Sequence, residues 1–357
     1  MKLDAQISNE SEMGIEAELS KSIWTKLVAQ YQQPDVRTSV WQVINSFGPF
    51  FITWVLMVLT LRYSYLLTLA LAFPAAGFLV RIFIIQHDCG HGSFLKSRQA
   101  SDWIGNVCGI LTLTPYRFWR KSHSLHHASS SNLEERGIGD VYTMTVNEYM
   151  NASWWGKLKY RVYRHPAFLF GLVPSLLFIV LNRFPYAASK AWKKEDRNSV
   201  HWTNLTIAVV ALVLSYLIGW REFLMIQLPI TIISASVGTF LFYAQHQFED
   251  TYWANKSEWD YTLAAMQGSS YYKLPKVLQW FTGNIGFHHI HHLSPRIPNY
   301  RLEQCHKENP QFQRVVVLTF WTSLKTTVLT LWDEEQKKLV RFSDLSGLRQ
   351  NSAPSVS

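Results

Sequence analysis

Apolar residues along this 357-residue chain are gathered into long blocks rather than spread evenly. Four blocks, at 43–61, 64–85, 202–218 and 223–244, are close to the roughly 20 apolar residues that a helix needs to span a bilayer. They fall in two pairs. Short turns, Arg62-Tyr63 and Gly219-Trp220-Arg221-Glu222, join the members of each pair, so the pattern predicts two transmembrane hairpins. Gly48-Pro49, Pro74 and Pro229 lie inside the blocks, where membrane helices tolerate such breakers. Arg81, near the end of the second block, is placed to snorkel toward the interface.

Two further apolar stretches are shorter. Residues 103–113 are too few to span, and 167–181 is interrupted by Gly171 and Pro174. If 167–181 crossed, the histidines after the second block and those after the fourth would face opposite sides of the membrane. The linker 182–200 also carries Arg183, Lys190, Lys193, Lys194 and Arg197, a composition retained on the cytoplasmic side. Both stretches are therefore expected to be interfacial or re-entrant. Val317, Trp321, Leu324, Val328 and Leu331 recur at helical spacing and predict an amphipathic helix on the membrane or the core. The expectation is an all-α integral membrane protein with four transmembrane helices in two hairpins and a cytoplasmic helical cap. Residues 1–41 form a cytoplasmic N-terminal segment, 42–342 the membrane domain and 343–357 a flexible tail.

Composition supports this reading. Hydrophobic residues make up 48% and charged residues 17%, below the roughly 25% of soluble domains. The net charge of +9 suits anionic lipid headgroups. Nucleic-acid binding is excluded as a class, because no Lys/Arg stripe interleaves with exposed aromatics. The three cysteines, Cys89, Cys108 and Cys305, form no CxxC and no disulfide framework. No charged-then-apolar leader pattern opens the chain.

Histidine changes the picture most. Of thirteen, eight lie in three boxes: His87 and His91; His123, His126 and His127; His288, His291 and His292. On a helix, positions i, i+3 and i+4 share a face, so each box can aim its imidazoles one way. Eight inward imidazoles exceed the four ligands of one zinc and the one or two axial ligands of a haem. They suit two metals with open positions, and spacing alone does not choose between iron, copper, zinc and nickel. A zincin needs H-E-x-x-H, and Asp88 stands where that Glu would be. His246 follows the fourth block as directly as His87 follows the second, which makes it a ninth candidate.

His165, His201 and His306 stand singly and read as structural or surface residues, and His289 lies off the face of its box. Asp88, Asp140, Glu249 and Asp250 are candidates to accept the second ring N–H of a ligating histidine. Asn284, four residues before His288, is placed to hold a metal-bound water. A single Glu-x-x-His spacing, Glu303 to His306, argues against a soluble di-iron bundle.

The boxes HDCGH, HSLHH and HHIHH, in this order, resemble those of the membrane fatty acyl desaturases. So do the flanking segments LTLTPYRFWR, HASSSNLEERGIGDVYTMTVNEY, NRFP, FYAQHQFEDTYW, GSSYYKLPKVLQWFTGNIGFHHIHHLSPRIPNY and LWDEEQ. The resemblance covers roughly 20–342 and is nearest to bacterial acyl-lipid desaturases of the Bacillus Δ5 type and the related Δ12 group. One departure is Gly90, where the Bacillus-type pattern has a second Cys after Cys89.

The resemblance implies two iron ions held by His87, His91, His123, His126, His127, His288, His291 and His292, with His246 as the further ligand. It implies O2 as co-substrate, a cis double bond as product, and an acyl chain of a membrane lipid as substrate. With no fused haem or iron–sulfur signature, electrons come from an external donor of the ferredoxin or flavodoxin type, docking on Lys190, Lys193 and Lys194. The active site then lies on the cytoplasmic face of the cell membrane. A lipid or carotenoid hydroxylase or ketolase on the same scaffold is the alternative enzyme, and a metal transporter or storage protein the alternative of another class.

Overall fold

A computed structural model describes residues 21–137, 139–185 and 192–346. Its frame is four helices long and apolar enough to cross a membrane: Val36–Leu61, Tyr65–His91, Lys194–Ile218 and Trp220–His246. Each is longer than its apolar block because polar turns extend it. The first helix starts where the Asp35 side chain accepts the Thr38 N–H at 2.7 Å. The second runs through the whole first histidine box and stops at Gly92, whose φ of 71° is left-handed. Gly219 alone separates the third and fourth helices, so the expected four-residue turn shrinks to one residue.

The second helix is the centre of the assembly, with 56% of its apolar window buried against 6% for the third. It packs on the first helix through Ala72 and Ala75, both buried, beside Phe50 and Met57. Small residues at such a contact let two backbones approach closely, which drives helix association where lipid offers no hydrophobic gain. Arg81 does not snorkel. It is buried, its guanidinium stands 3.9 Å over the Trp280 ring, and it donates to the Trp280 carbonyl.

The segment 167–181 is a π-turn at Phe168–Leu172 followed by a short helix, Val173–Ile179. It meets the helix Trp154–Arg164 at 63°. Before it, Arg164 donates to Tyr243 Oη at 3.3 Å and Gln247 Oε1 at 3.1 Å, beside His246. After it, Asn182 donates to the Leu113 carbonyl at 3.3 Å, next to Thr112, whose hydroxyl bonds Gln86 at 2.7 Å beside His87. Both ends are therefore tied to the histidine-bearing end of the bundle. Residues 103–113 fall mostly in the helix Arg98–Leu111, which buries Gly105, Cys108 and Gly109 and exposes Trp103.

Two expectations need correction. The stretch 317–331 is not one helix. Val317–Thr319 is a strand parallel to Tyr271–Lys273, Phe320–Thr326 is helical, and Leu331–Asp333 is again a strand. The β-branched run Val315-Val316-Val317 and the triplet Thr326-Thr327-Val328 disfavour helix on either side of the segment that Thr319 caps. The chain is also not purely helical. Met144–Thr145, Leu331–Asp333 and Lys338–Val340 form a second small sheet that braces the loop after the second histidine box. The helix Lys21–Ala29 packs Trp24 and Val28, with Tyr31 after it, against Phe287, Ile290 and Leu293 around the third box.

Candidate metal centre

Four elements carry the histidines to one place. The last turn of the second helix presents His87 and His91, the helix Tyr116–Ser129 presents His123, His126 and His127, and the short helix His288–Leu293 presents the third box. His246 is the last residue of the fourth helix. The nine predicted residues fall in two adjoining groups. In the first, ring nitrogens of His87, His91, His123, His127 and His291 all lie within 4.8 Å of one another. In the second, those of His126, His246 and His292 do so, and His288 joins them with its Nε2 2.9 Å from Nε2 of His246. The groups touch where the His127 and His292 rings stack at 4.2 Å.

The donor set fits cations. His127 Nε2 faces His123 Nε2 at 3.1 Å and His291 Nε2 at 3.0 Å. A neutral imidazole nitrogen carries either one hydrogen or one lone pair, so a single nitrogen cannot satisfy both partners. The Nε2 atoms of His91, His126 and His292 are buried without any hydrogen-bond partner. Each such orphan costs about 1–3 kcal/mol, and positive ions among the nitrogens would satisfy all of them. Burial holds His123, His127, His288, His291 and His292 well below the ordinary imidazole pKa, with neighbouring histidines adding to the shift. The rings are thus neutral near pH 7, the form that binds metal.

The opposite ring edges are held from outside. Asp88 Oδ1 lies 3.2 Å from Nδ1 of His87, Asp140 takes Nδ1 of His126, and the Gly268 carbonyl faces Nδ1 of His246 at 3.2 Å. Of the four predicted carboxylates, Asp88 and Asp140 are at the site. Glu249 and Asp250 are exposed, and Glu249 faces Lys338 at 3.8 Å.

Asn284 is not on a helix with His288. It sits in a turn with φ 57°, its Oδ1 accepts from Gln279 Nε2 at 2.7 Å and its Nδ2 donates to the Asn299 carbonyl at 3.2 Å. Its amide is thereby engaged away from the rings, which corrects the expected role in holding water. His289 is buried outside both groups, held neutral with its pKa lowered to about 3 by burial and by His306, and its Nε2 donates to the Phe312 carbonyl at 2.9 Å. His165 and His201 are exposed.

The sequence reading missed Trp119, which stacks on His123 at 4.8 Å with the planes 14° apart. Its signal was available, since it stands one helical turn before His123. It also missed Arg164, buried and bonded to Thr143 Oγ1 and the Leu329 carbonyl. A lone Arg in a basic stretch carries no sign of such burial. Lys193 and Lys194 are exposed beside Trp192, whose indole donates to the Phe118 carbonyl on the second-box helix at 3.3 Å. Lys190 lies outside the described residues.

Comparison with known proteins agrees with this architecture. The family description of fatty acid desaturases matches residues 63–323. The chain is 49% identical over 318 residues to a fatty acid desaturase of Bacillus subtilis (strain 168), covering 89% of this chain and 90% of that one. It is 26% identical over 235 residues to an sn-1 acyl-lipid omega-3 desaturase (ferredoxin) of Synechocystis, covering 63% and 62% of the two chains. Against an sn-1 oleoyl-lipid 12-desaturase of the same organism it is 27% identical over 249 residues, 64% of each chain.

Proposed function

This chain belongs to the fatty acid desaturase family, and on that premise we propose that it is an oxygen-dependent acyl-lipid desaturase with two iron ions, forming a cis double bond at Δ5 or Δ12. The balanced reaction takes –CH2–CH2–, O2, two electrons and two protons to –CH=CH– and two waters. The observation that carries the reading is the pair of adjoining buried histidine groups at one end of the second and fourth long helices. Iron, when bound there, supplies the oxygen chemistry that no side chain can perform on an unactivated C–H bond.

The chain's own residues do the rest. His87, His91, His123, His127 and His291 would hold one ion, and His126, His246, His288 and His292 the other. Seven of these rings are buried and His91 and His123 half-buried, while Asp88, Asp140 and the Gly268 carbonyl fix which ring nitrogen keeps its proton. The four long helices form two hairpins in the cell membrane, with the histidine cap on the cytoplasmic face. Exposed Trp154, Trp155 and Trp321 beside this cap suit the headgroup zone, where amphipathic rings concentrate. The substrate is an acyl chain of a membrane lipid that reaches the metal from the bilayer.

Electrons come from a ferredoxin- or flavodoxin-type carrier, in keeping with the Synechocystis omega-3 relative, whose name includes ferredoxin. Exposed Lys193 and Lys194, joined through Trp192 to the second-box helix, are its docking face.

Expression in a host lacking unsaturated fatty acids, followed by gas chromatography of its lipids, tests the reading. A new cis double bond at either position supports it. An oxygenated product instead would make the protein a hydroxylase or ketolase, and a chain with no iron and dispensable histidines would overturn the enzyme reading.

A further inference from the structure

His87 is held by a buried polar chain that crosses three elements. Asp88 Oδ1 lies 3.2 Å from Nδ1 of His87. Asp88 Oδ2 accepts two hydrogen bonds from Asn299, one from its backbone N–H at 2.7 Å and one from its Nδ2 at 2.8 Å. Asn299 in turn faces Gln42 as a reciprocal amide pair: Gln42 Nε2 donates to Asn299 Oδ1 at 2.9 Å, and Asn299 Nδ2 donates to Gln42 Oε1 at 3.2 Å. Gln42, Asp88 and Asn299 are 3%, 2% and 2% exposed.

A carboxylate buried this deeply is costly unless every oxygen is satisfied, and an apolar side chain in its place would stabilise the fold at least as well. Here both oxygens have partners, Oδ1 the His87 ring and Oδ2 the Asn299 backbone and side chain. Asn299 opens the helix Asn299–Glu308, and the preceding Pro298 provides no side-chain cap. Its N–H is one of the orphan donors of a helix start, where the helix dipole also favours negative charge. Asp88 is therefore the cap of that helix, supplied from another element. With Oδ2 taken by Asn299, Oδ1 is left aimed at His87. An acceptor oxygen there selects the tautomer with hydrogen on Nδ1 and leaves Nε2 with its lone pair. The His87 ring centroid lies 4.7, 4.9 and 4.4 Å from those of His91, His123 and His291.

We infer that Asn299 is a positioning residue of the five-histidine group: through Asp88 it sets the tautomer and ring angle of His87, and Gln42 ties that setting to the first long helix. The inference rests on the reading of His87 as a metal ligand. It predicts that a residue far from His87 in sequence controls one metal position and leaves the other alone.

The test uses the full chain in lipid nanodiscs, loaded anaerobically with 57Fe(II). Affinity is read by chelator competition and the coordination of each iron by Mössbauer spectroscopy. Asn299→Ala is expected to weaken one iron by about 10–100-fold and shift its quadrupole doublet, leaving the other doublet in place. In an Asp88→Asn background the same change should add no further loss, because both act through one carboxylate. Gln42→Ala, which spares the Asn299–Asp88 bonds, should cause a smaller loss at the same iron. Wild-type affinity and spectrum in Asn299→Ala would overturn the inference, as would a loss that adds fully to that of Asp88→Asn. Should Asn299→Ala not fold, Asn299→Val, closer in volume, likewise removes the side-chain donor and keeps the backbone N–H, and an unchanged iron site in that variant would be equally fatal. If the wild-type chain itself takes up no iron, the ligand reading falls as well, whereas normal uptake with an indifferent Asn299 defeats the positioning role alone.

Discussion

The two histidine groups use the same side chain and are held in different ways. The five-ring group leans on Asp88, which is 2% exposed and locked by Asn299 and Gln42 from two other elements. The group of His126, His246, His288 and His292 leans on Asp140, partly open on the loop after the second box, and on the backbone carbonyl of Gly268. A carboxylate in a closed polar lattice cannot be replaced by water, whereas one near the surface can. The first group is thus pre-set by the packing of the long helices, and the second by loops that the small sheets brace.

The comparison can be broken most severely at the rings. His246→Ala or His292→Ala takes one of four rings from the smaller group and should remove its iron and abolish unsaturated product. His123→Ala leaves four rings in the larger group, so it should also abolish product while retaining part of the bound iron. Elemental analysis beside lipid chromatography separates the two, and equal iron loss in both would erase the distinction.

The outer partners come next. Asp88→Asn should weaken its iron by about 10–100-fold and also lower the melting temperature, since it disturbs the contact with Asn299. Asp140→Asn should fall at the low end of that range and leave melting nearly unchanged. Calorimetry with iron titration would reverse this ordering if the second carboxylate were the more deeply committed one.

Acid offers a third probe, on the metal-free chain. His123, His127, His288, His291 and His292 have folded pKa values well below their ordinary 6.5. Below about pH 6.5 the unfolded chain binds protons that the folded chain refuses, so stability falls as pH drops and is level above it. The slope approaches about 1.4 kcal/mol per pH unit for each such ring. Thermal melts from pH 8 to pH 5 should show this decline, and a flat profile would mean that the rings are not buried neutral.

Away from the rings, Lys193→Glu with Lys194→Glu should raise KM for the electron carrier and flatten its salt dependence without altering iron content. The smallest effect is expected from Gly90→Cys. A Cβ there would stand 3.1 Å from the Trp119 ring, which must give by a few tenths of an ångström to admit it. Stability should change by less than about 1 kcal/mol, with any change in product profile read by chromatography.

Much of this architecture was legible before any coordinates. Apolar blocks of spanning length and histidines at i, i+3 and i+4 are local patterns, because bilayer thickness and helical period act on neighbouring residues. They located the four long helices and all nine rings, and Asp88 and Asp140 were within reach as carboxylates near boxes. The stretch 317–331 misled because its apolar spacing fits a helix, while parallel pairing of Val317–Thr319 with Tyr271–Lys273 depends on a partner about 45 residues away. Asn284 misled for a similar reason, since its spacing from His288 has meaning only if one helix contains both.

The sequence by itself determined which residues can meet a metal and that the chain has segments fit to cross a membrane, because both follow from residue type and short-range periodicity. Only the tertiary structure decided how the nine rings divide into groups of five and four, and that Gln42 and Asn299 stand behind His87. Those contacts join residues more than two hundred positions apart. They are set by how helices pack, which no local pattern encodes.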